Sequence, residues 1–301
     1  MYPEEDWVVL TEAVRSNACL AFVGAGANSS ATVDTSGAEL ARVLAEGEKY
    51  PLSDKENLPR VAQYIYTKYD NRDTMLQKVS SVLQDKIDLL DGAIPEILGQ
   101  LAGLSLPLYV TTNYDTLMER ALDARGDCIP QTDVCRWLPA LKIRENGDPI
   151  LSHQRINYDA LNSSNAVVYH LHGIFSEPDT MLITEDDYIS FMVNYFRNSD
   201  DKPSHIEPQV LRRLVKNHIL FVGYSLNDWN LRFLLRFLYE ANGTRRPPQS
   251  ISIQFDKDNA LSDAARWFVL RSLAMSTLPK LSIYWGDAAE FLATLRGRLD
   301  A

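Results

Sequence analysis

Six short runs of apolar residues, at 18–23, 107–112, 166–171, 219–224, 251–255 and 281–285, limit the fold of this chain more than any other feature of its sequence. Their β-branched and aromatic content predicts strands. Most are continuously apolar instead of alternating, so the strands are expected to be covered on both faces, as in a parallel sheet between layers of helices. The segments between them supply those helices. Residues 36–48, 114–125, 205–217, 228–241 and 287–299 each repeat apolar side chains three and four positions apart, and Asp228 and Asp287 stand where N-caps belong. The alternation predicts an α/β fold, a Rossmann-like, doubly wound, mainly parallel six-stranded sheet whose ligands bind at the carboxyl ends of the strands. Two regions interrupt it: a helix-rich stretch, 56–103, expected to form a helical cap, and a polar stretch, 126–165, expected to be a partly irregular insertion. With 301 residues, 46% of them apolar, the chain can bury one large core, and a single domain over 1–301 is expected.

Several function classes are disfavoured at once. No stretch approaches the roughly 20 apolar residues of a membrane span, and the opening Met1-Tyr2-Pro3-Glu4-Glu5-Asp6-Trp7 is acidic where a signal peptide is basic. A soluble, cytoplasmic protein without membrane contact is expected. The net charge of −10 repels polyanions, and no basic stripe offsets it, so direct nucleic-acid binding is not expected. Cys19, Cys128 and Cys135 are few and scattered. That suits a reducing compartment, and with no Cys-x-x-Cys pair no metal site is expected.

Four segments carry polar residues at strand ends. Ala21-Phe22-Val23-Gly24-Ala25-Gly26-Ala27-Asn28-Ser29-Ser30 runs a strand into a glycine turn, which can bring backbone N–H groups to a pyrophosphate; a tight turn without ligand fits equally. The dinucleotide fingerprint of dehydrogenases would need a third glycine where Ser29 stands. Tyr109-Val110-Thr111-Thr112-Asn113-Tyr114-Asp115 ends a strand and opens a helix, where Asn113 and Asp115 serve either a ligand or a cap. Val167-Val168-Tyr169-His170-Leu171-His172-Gly173 brings a histidine to a strand end. A His170/His172 metal pair lacks a third ligand at suitable spacing. In Ile219-Leu220-Phe221-Val222-Gly223-Tyr224-Ser225-Leu226-Asn227-Asp228, Ser225 and Asp228 fit ribose hydroxyls or another helix cap.

Taken in order, these segments resemble the sirtuin family. Gly24-Ala25-Gly26 matches its cofactor loop, Thr111-Thr112-Asn113-Tyr114-Asp115 its Thr-x-Asn-x-Asp motif, and His172-Gly173 its catalytic His-Gly. Gly223-Tyr224-Ser225 matches its Gly-x-Ser ribose contact, and Gly286-Asp287 its late Gly-Asp near the adenine. The Gly-Ile-Pro-Asp-Phe-Arg segment and the paired Cys-x-x-Cys of protein-deacylating sirtuins are missing. Leu182-Ile183-Thr184-Glu185-Asp186-Asp187-Tyr188 and Asp228-x-Asn230-Leu231 are instead similar to the sirtuin-like domains of bacterial anti-phage defence systems, of the Thoeris and defence-associated sirtuin type.

That resemblance implies an NAD+ hydrolase releasing nicotinamide and ADP-ribose in abortive-infection defence, with NAD as substrate and no metal. It implies phosphate contacts at Gly24, Ala25, Gly26, Asn28 and Ser29. Thr112, Asp115, Gly223, Ser225, Asp228, Gly286 and Asp287 are the other expected cofactor contacts. Asn113 would hold the nicotinamide ribose or the attacking water, Asp115 would orient Asn113 or face the carboxamide, and His172 would act as base. A homo-oligomer is expected, with an activating partner protein or a fused sensor domain. A zinc-free protein deacylase and a non-catalytic NAD or ADP-ribose sensor are the alternative readings.

Overall fold

Alternate side chains of an extended strand point to opposite faces, so a run that is apolar at every position must be covered twice. The computed structural model describes residues 3–28, 33–137, 156–196, 206–224, 250–254, 262–268 and 281–301. Among them are the strands β1 (Cys19–Val23), β2 (Leu108–Thr111), β3 (Gln131–Val134), β4 (Val167–His170), β5 (His218–Val222), β6 (Ser250–Gln254) and β7 (Leu281–Trp285). They form one sheet in the order β3-β4-β2-β1-β5-β6-β7, every pair parallel.

The expected count of six is therefore corrected to seven. The added strand is β3, inside the stretch read as a partly irregular insertion, and its polarity explains the difference. Among the described residues it lies at the sheet edge and pairs only with β4, and of its own residues only Val134 is buried. An edge strand of this kind carries no continuous apolar run to detect.

The helices are α1 (Glu4–Arg15), α2 (Gly37–Glu48), α3 (Leu58–Tyr69), α4 (Arg72–Asp88), α5 (Glu96–Gly103), α6 (Leu117–Asp123), α7 (Glu185–Phe196), α8 (Pro208–Lys216) and α9 (Ala288–Leu299). The expected helix at 228–241, with its cap Asp228, lies outside the described residues. One face of the sheet gathers Ala21, Tyr109, Val168 and Leu220 with Leu10 of α1, Leu101 of α5, Leu122 of α6 and Phe291 of α9. The other gathers Phe22, Val110, Tyr169 and Phe221 with Phe191 of α7 and Val210 of α8. Burial on both faces is what the apolar runs required.

A third core joins α2, α3 and α4 through Leu44, Val61, Ile65 and Met75, and takes in Met181 and Ile183 from the segment after β4. Its entry is set by capping. Ser36 accepts from Glu39 N–H at 3.2 Å and opens α2, and Asn57 and Asn71 do the same for α3 and α4. The Glu48 carboxylate, buried at the end of α2, binds Lys68 of α3 at 2.8 Å and Lys78 of α4 at 2.7 Å, and accepts from the Tyr69 hydroxyl at 2.9 Å. Arg72 of α4 reaches Asp187 of α7 at 2.7 Å and donates to the Met181 carbonyl at 3.0 Å. This helical layer is thereby tied to the chain leaving β4.

From the central β1 the sheet builds outward through β2 and β4 to β3, then resumes at β5 on the other side of β1. Such a reversal leaves a crevice beyond the strand carboxyl ends, where the chain segments diverge.

Candidate active site

That crevice is a cavity of about 710 Å³, within the range of small-molecule sites. Its floor is made by Ala25, Thr112, Asn113, Asp115, His172 and Gly223, which follow β1, β2, β4 and β5; Thr35 to Ala38 and Asn57 to Pro59, at the starts of α2 and α3, face them. Four segments far apart in sequence meet here because parallel strands all deliver their carboxyl ends to one edge.

The glycine turn after β1 has a structural reason of its own. Gly24 N–H donates to the Val222 carbonyl at 2.8 Å, and Gly26 N–H to the Gly223 carbonyl at 2.9 Å. A Cβ on Gly24 would lie 2.6 Å from the Gly223 carbonyl oxygen, and Gly223 itself has φ +79°. The strand-end backbones of β1 and β5 thus touch where side chains cannot fit. Ala27 N–H is also spent internally, on Gly24 O at 3.0 Å. Ala25 is the turn residue that lines the cavity.

Asn113 is held from three directions. Its N–H donates to Thr111 Oγ1 at 3.0 Å, its carbonyl lies 3.0 Å from His170 Nδ1, and its Nδ2 donates to Asn28 Oδ1 at 3.2 Å. Asn28 in turn donates through Nδ2 to Asp115 Oδ2 at 2.6 Å, while Asp115 Oδ1 accepts from Leu117 N–H at 3.0 Å. The direction of this relay follows from its end: a carboxylate only accepts, so the amide group of Asn28 must face Asp115 and its oxygen must face Asn113. What remains is Asn113 Oδ1, a buried acceptor without a partner among the described residues. Burial raises the Asp115 pKa, partly offset by the hydrogen bond from Leu117 and the charge of His170. The helix α6 starts at Leu117 and not at the expected 114, with Thr116 at its N-cap position and the Leu117 N–H satisfied by Asp115.

His172 stands beyond the end of β4 with its ring edge-on to Tyr188, centroids 5.5 Å apart. Burial alone lowers its pKa from 6.5 to about 4, so the imidazole is neutral at physiological pH. Its ring nitrogens make no hydrogen bond among the described residues. The following Gly173 has φ +86°, and a Cβ there would run into the backbone at Thr180, so the glycine is required by the close return of the chain. His172 O accepts from Leu182 N–H at 2.9 Å and Tyr114 donates to the Leu182 carbonyl at 2.8 Å. These bonds fix the loop that carries the histidine.

The structure thus brings together Ala25, Thr112, Asn113, Asp115, His172 and Gly223. Gly24 and Gly26 sit just behind the wall. Asn28, expected at the phosphates, is fully buried between Asn113 and Asp115 with its amide engaged at both ends. Gly286 and Asp287 follow the far edge strand and do not line the cavity; Asp287 caps α9 by accepting from Glu290 N–H at 3.0 Å. Ser29, Ser225 and Asp228 lie outside the described residues. His170 and His172 do not converge, since the first is buried against Glu119 and the second lines the cavity. No group of three or more His, Cys, Asp or Glu side chains suited to a metal ion occurs among the described residues.

Three residues near the floor escape sequence reasoning. Tyr224 shares a 2.7 Å hydrogen bond with Thr112 Oγ1 and donates to the Val23 carbonyl at 3.1 Å, bridging β1, β2 and β5. Tyr188 packs on His172. Glu119, on a buried position of α6, pairs with His170 at 2.8 Å. A carboxylate among apolar residues of a short helix was the available signal for the last.

A family model described as SIR2-like domain matches residues 107–272, more than half of the chain. The chain is 26% identical, over 99% of its length, to the NAD(+) hydrolase ThsA of Acinetobacter baumannii (strain 532279), covering 58% of that protein. It is also 26% identical to the protein of that name from Bacillus cereus (strain MSX-D12), over 78% of this chain and 43% of the relative. For the protein of that name from Cytobacillus dafuensis the identity is 26%, over 71% and 36%. The chain spans about half the length of the curated relatives it matches.

Proposed function

The chain belongs to the SIR2-like domain family, and from that premise we propose that its strand-end cavity hydrolyses NAD+ to nicotinamide and ADP-ribose, as an effector of bacterial anti-phage defence. The observation that carries this reading is the pairing of an unmatched Asn113 Oδ1 with a neutral His172 on the floor of one cavity. The names of the relatives, NAD(+) hydrolase ThsA, agree with it.

Cleavage breaks the bond between ribose C1′ and the pyridinium nitrogen. The bonding electrons go to that nitrogen, so nicotinamide leaves neutral and the ribose gains oxocarbenium character. The protein has to position and polarise, not to supply a strong acid. Asn113 Oδ1 is an acceptor for a ribose hydroxyl or for the attacking water. Water adds to C1′, and the proton it loses passes to the neutral imidazole of His172. Asp115 acts on Asn113 through Asn28. Ala25 presents its backbone to the phosphates, and Thr112 and Gly223 line the ribose side.

The test is nicotinamide release by the single and double variants. If both groups serve one transition state, Asn113→Ala and His172→Ala should each lower the rate by about 10²-fold or more, and the double variant should be little worse than either. His218→Ala, at the opposite end of β5, should leave the rate nearly intact. A folded His172→Ala protein that releases nicotinamide at the unmutated rate would remove the base from the mechanism.

A further inference from the structure

One buried titratable pair is used by no step above. His170, the last residue of β4, is completely buried, and both of its ring nitrogens face oxygen: Nδ1 lies 3.0 Å from the Asn113 carbonyl and Nε2 lies 2.8 Å from Glu119 Oε1. Against a carboxylate at Glu119 and a carbonyl at Asn113 both ring nitrogens must donate, and a ring with two N–H groups is the imidazolium. Glu119 Oε1 also accepts from Thr132 Oγ1 of β3 at 2.9 Å, and its Oε2 is buried without a partner among the described residues. The pair thus spans α6, β4 and β3, and meets the backbone of Asn113, two residues past the end of β2.

We propose that the Glu119–His170 ion pair is a positioning device that clamps the Asn113 main chain, so that the Asn113 carboxamide is presented to the cavity in one orientation. The proposal rests on the reading of Asn113 as the group that acts on the substrate. A buried ion pair adds little net stability compared with apolar residues of the same size, so its geometric effect is the informative part. Thr111 Oγ1 fixes the Asn113 N–H, His170 fixes the Asn113 carbonyl, and Asn28 fixes the side-chain amide, which leaves Oδ1 of this cavity-lining residue as a buried oxygen without a partner among the described residues. The charges facing His170 among the described residues are Glu119 from α6 and Asp115 from the turn before it, and β3 adds the Thr132 hydroxyl. Burial pushes the His170 pKa down, but the charge and hydrogen bond of Glu119 and the Asn113 carbonyl outweigh it, and the net shift is upward. Neither Glu119 nor His170 lines the cavity; they act through Asn113.

The experiment uses the full chain, with NAD as the probe. Misplacing a catalytic group slightly costs about 10²-fold in rate. His170→Leu should therefore lower kcat for nicotinamide release on that scale with KM little changed, and His170→Asn, whose amide can donate to the Asn113 carbonyl, should recover much of the loss. Glu119→Gln preserves the shape and guards against a misfolded leucine variant. Without the carboxylate the imidazolium loses its proton more easily, so the alkaline limb of kcat should move to lower pH. Ring-nitrogen NMR shifts of His170 need no turnover and should show the doubly protonated ring near neutral pH. A neutral His170 ring, or a Glu119→Gln pH profile superimposable on the unmutated one, would overturn the clamp. Absence of nicotinamide release from the unmutated chain would instead count against the hydrolase reading, with the NMR result deciding the pair on its own.

Discussion

At the scale of single residues, the decisive contrast is between two histidines two positions apart. His170 is paired and its pKa is raised, whereas burial lowers that of His172 to about 4. A base works in its neutral form, and His172 stays neutral as pH falls from its ordinary 6.5 down to about 4. Cleavage should therefore persist through pH 6 and fall only as pH drops past about 4. A kcat profile between pH 3.5 and 8 checks this; an acid limb centred at the unperturbed value would mean that water reaches the ring more freely than this environment implies. That Asn113 and His172 would meet beyond the strand ends was legible in the sequence, because each is a polar residue following an apolar run. The placement of Asn28 and Glu119 was not. Asn28 reads as part of a phosphate loop, yet its partners are Asn113 and Asp115, and Glu119 meets His170 across 51 positions of sequence. Local periodicity carries no record of such pairings.

At the scale of elements, the apolar strands and the longer amphipathic helices follow from patterning, and Asp287 caps its helix as its position suggests. The elements that patterning misjudged are those governed by polar contacts. β3 is a polar edge strand paired with β4, and α6 begins only at Leu117, after Asn113 and Asp115 have been drawn into polar contacts. The helical layer α2–α4 offers a further test, because one buried carboxylate, Glu48, binds all three of its helices together. Lys68, Lys78 and Tyr69 overcome the cost of burial and lower the Glu48 pKa from 4.5 to about 2. A carboxyl depressed in the folded state contributes stability that is complete above its unfolded value and is lost as pH falls toward the folded value. Glu48→Gln should thus cost about 1 kcal/mol at neutral pH, measured by urea unfolding. The difference from the unmutated chain should shrink as pH falls from 4.5 toward 2. A deficit that is independent of pH would locate the effect in packing instead of charge.

At the scale of the whole molecule, the parallel sheet explains why a site can be assembled from β1, β2, β4 and β5 at all, and why α2 and α3 close it from above. No helix among the described residues is long and apolar enough to cross a membrane. An unrestrained NAD hydrolase would starve the cell that makes it, so we expect turnover per chain to rise with concentration as copies assemble, or on addition of a partner protein. Sedimentation alongside rate measurements tests that, and a fast monomer indifferent to dilution would count against it. We propose that this cavity cleaves NAD+ with water as acceptor. This is tested most directly by incubating the chain with NAD+, with and without an acetylated peptide, and identifying the products. Nicotinamide and ADP-ribose should form in equal amounts, unaffected by the peptide. Tight NAD+ binding with no nicotinamide released, or acetyl transfer to ADP-ribose that depends on the peptide, would contradict this proposal.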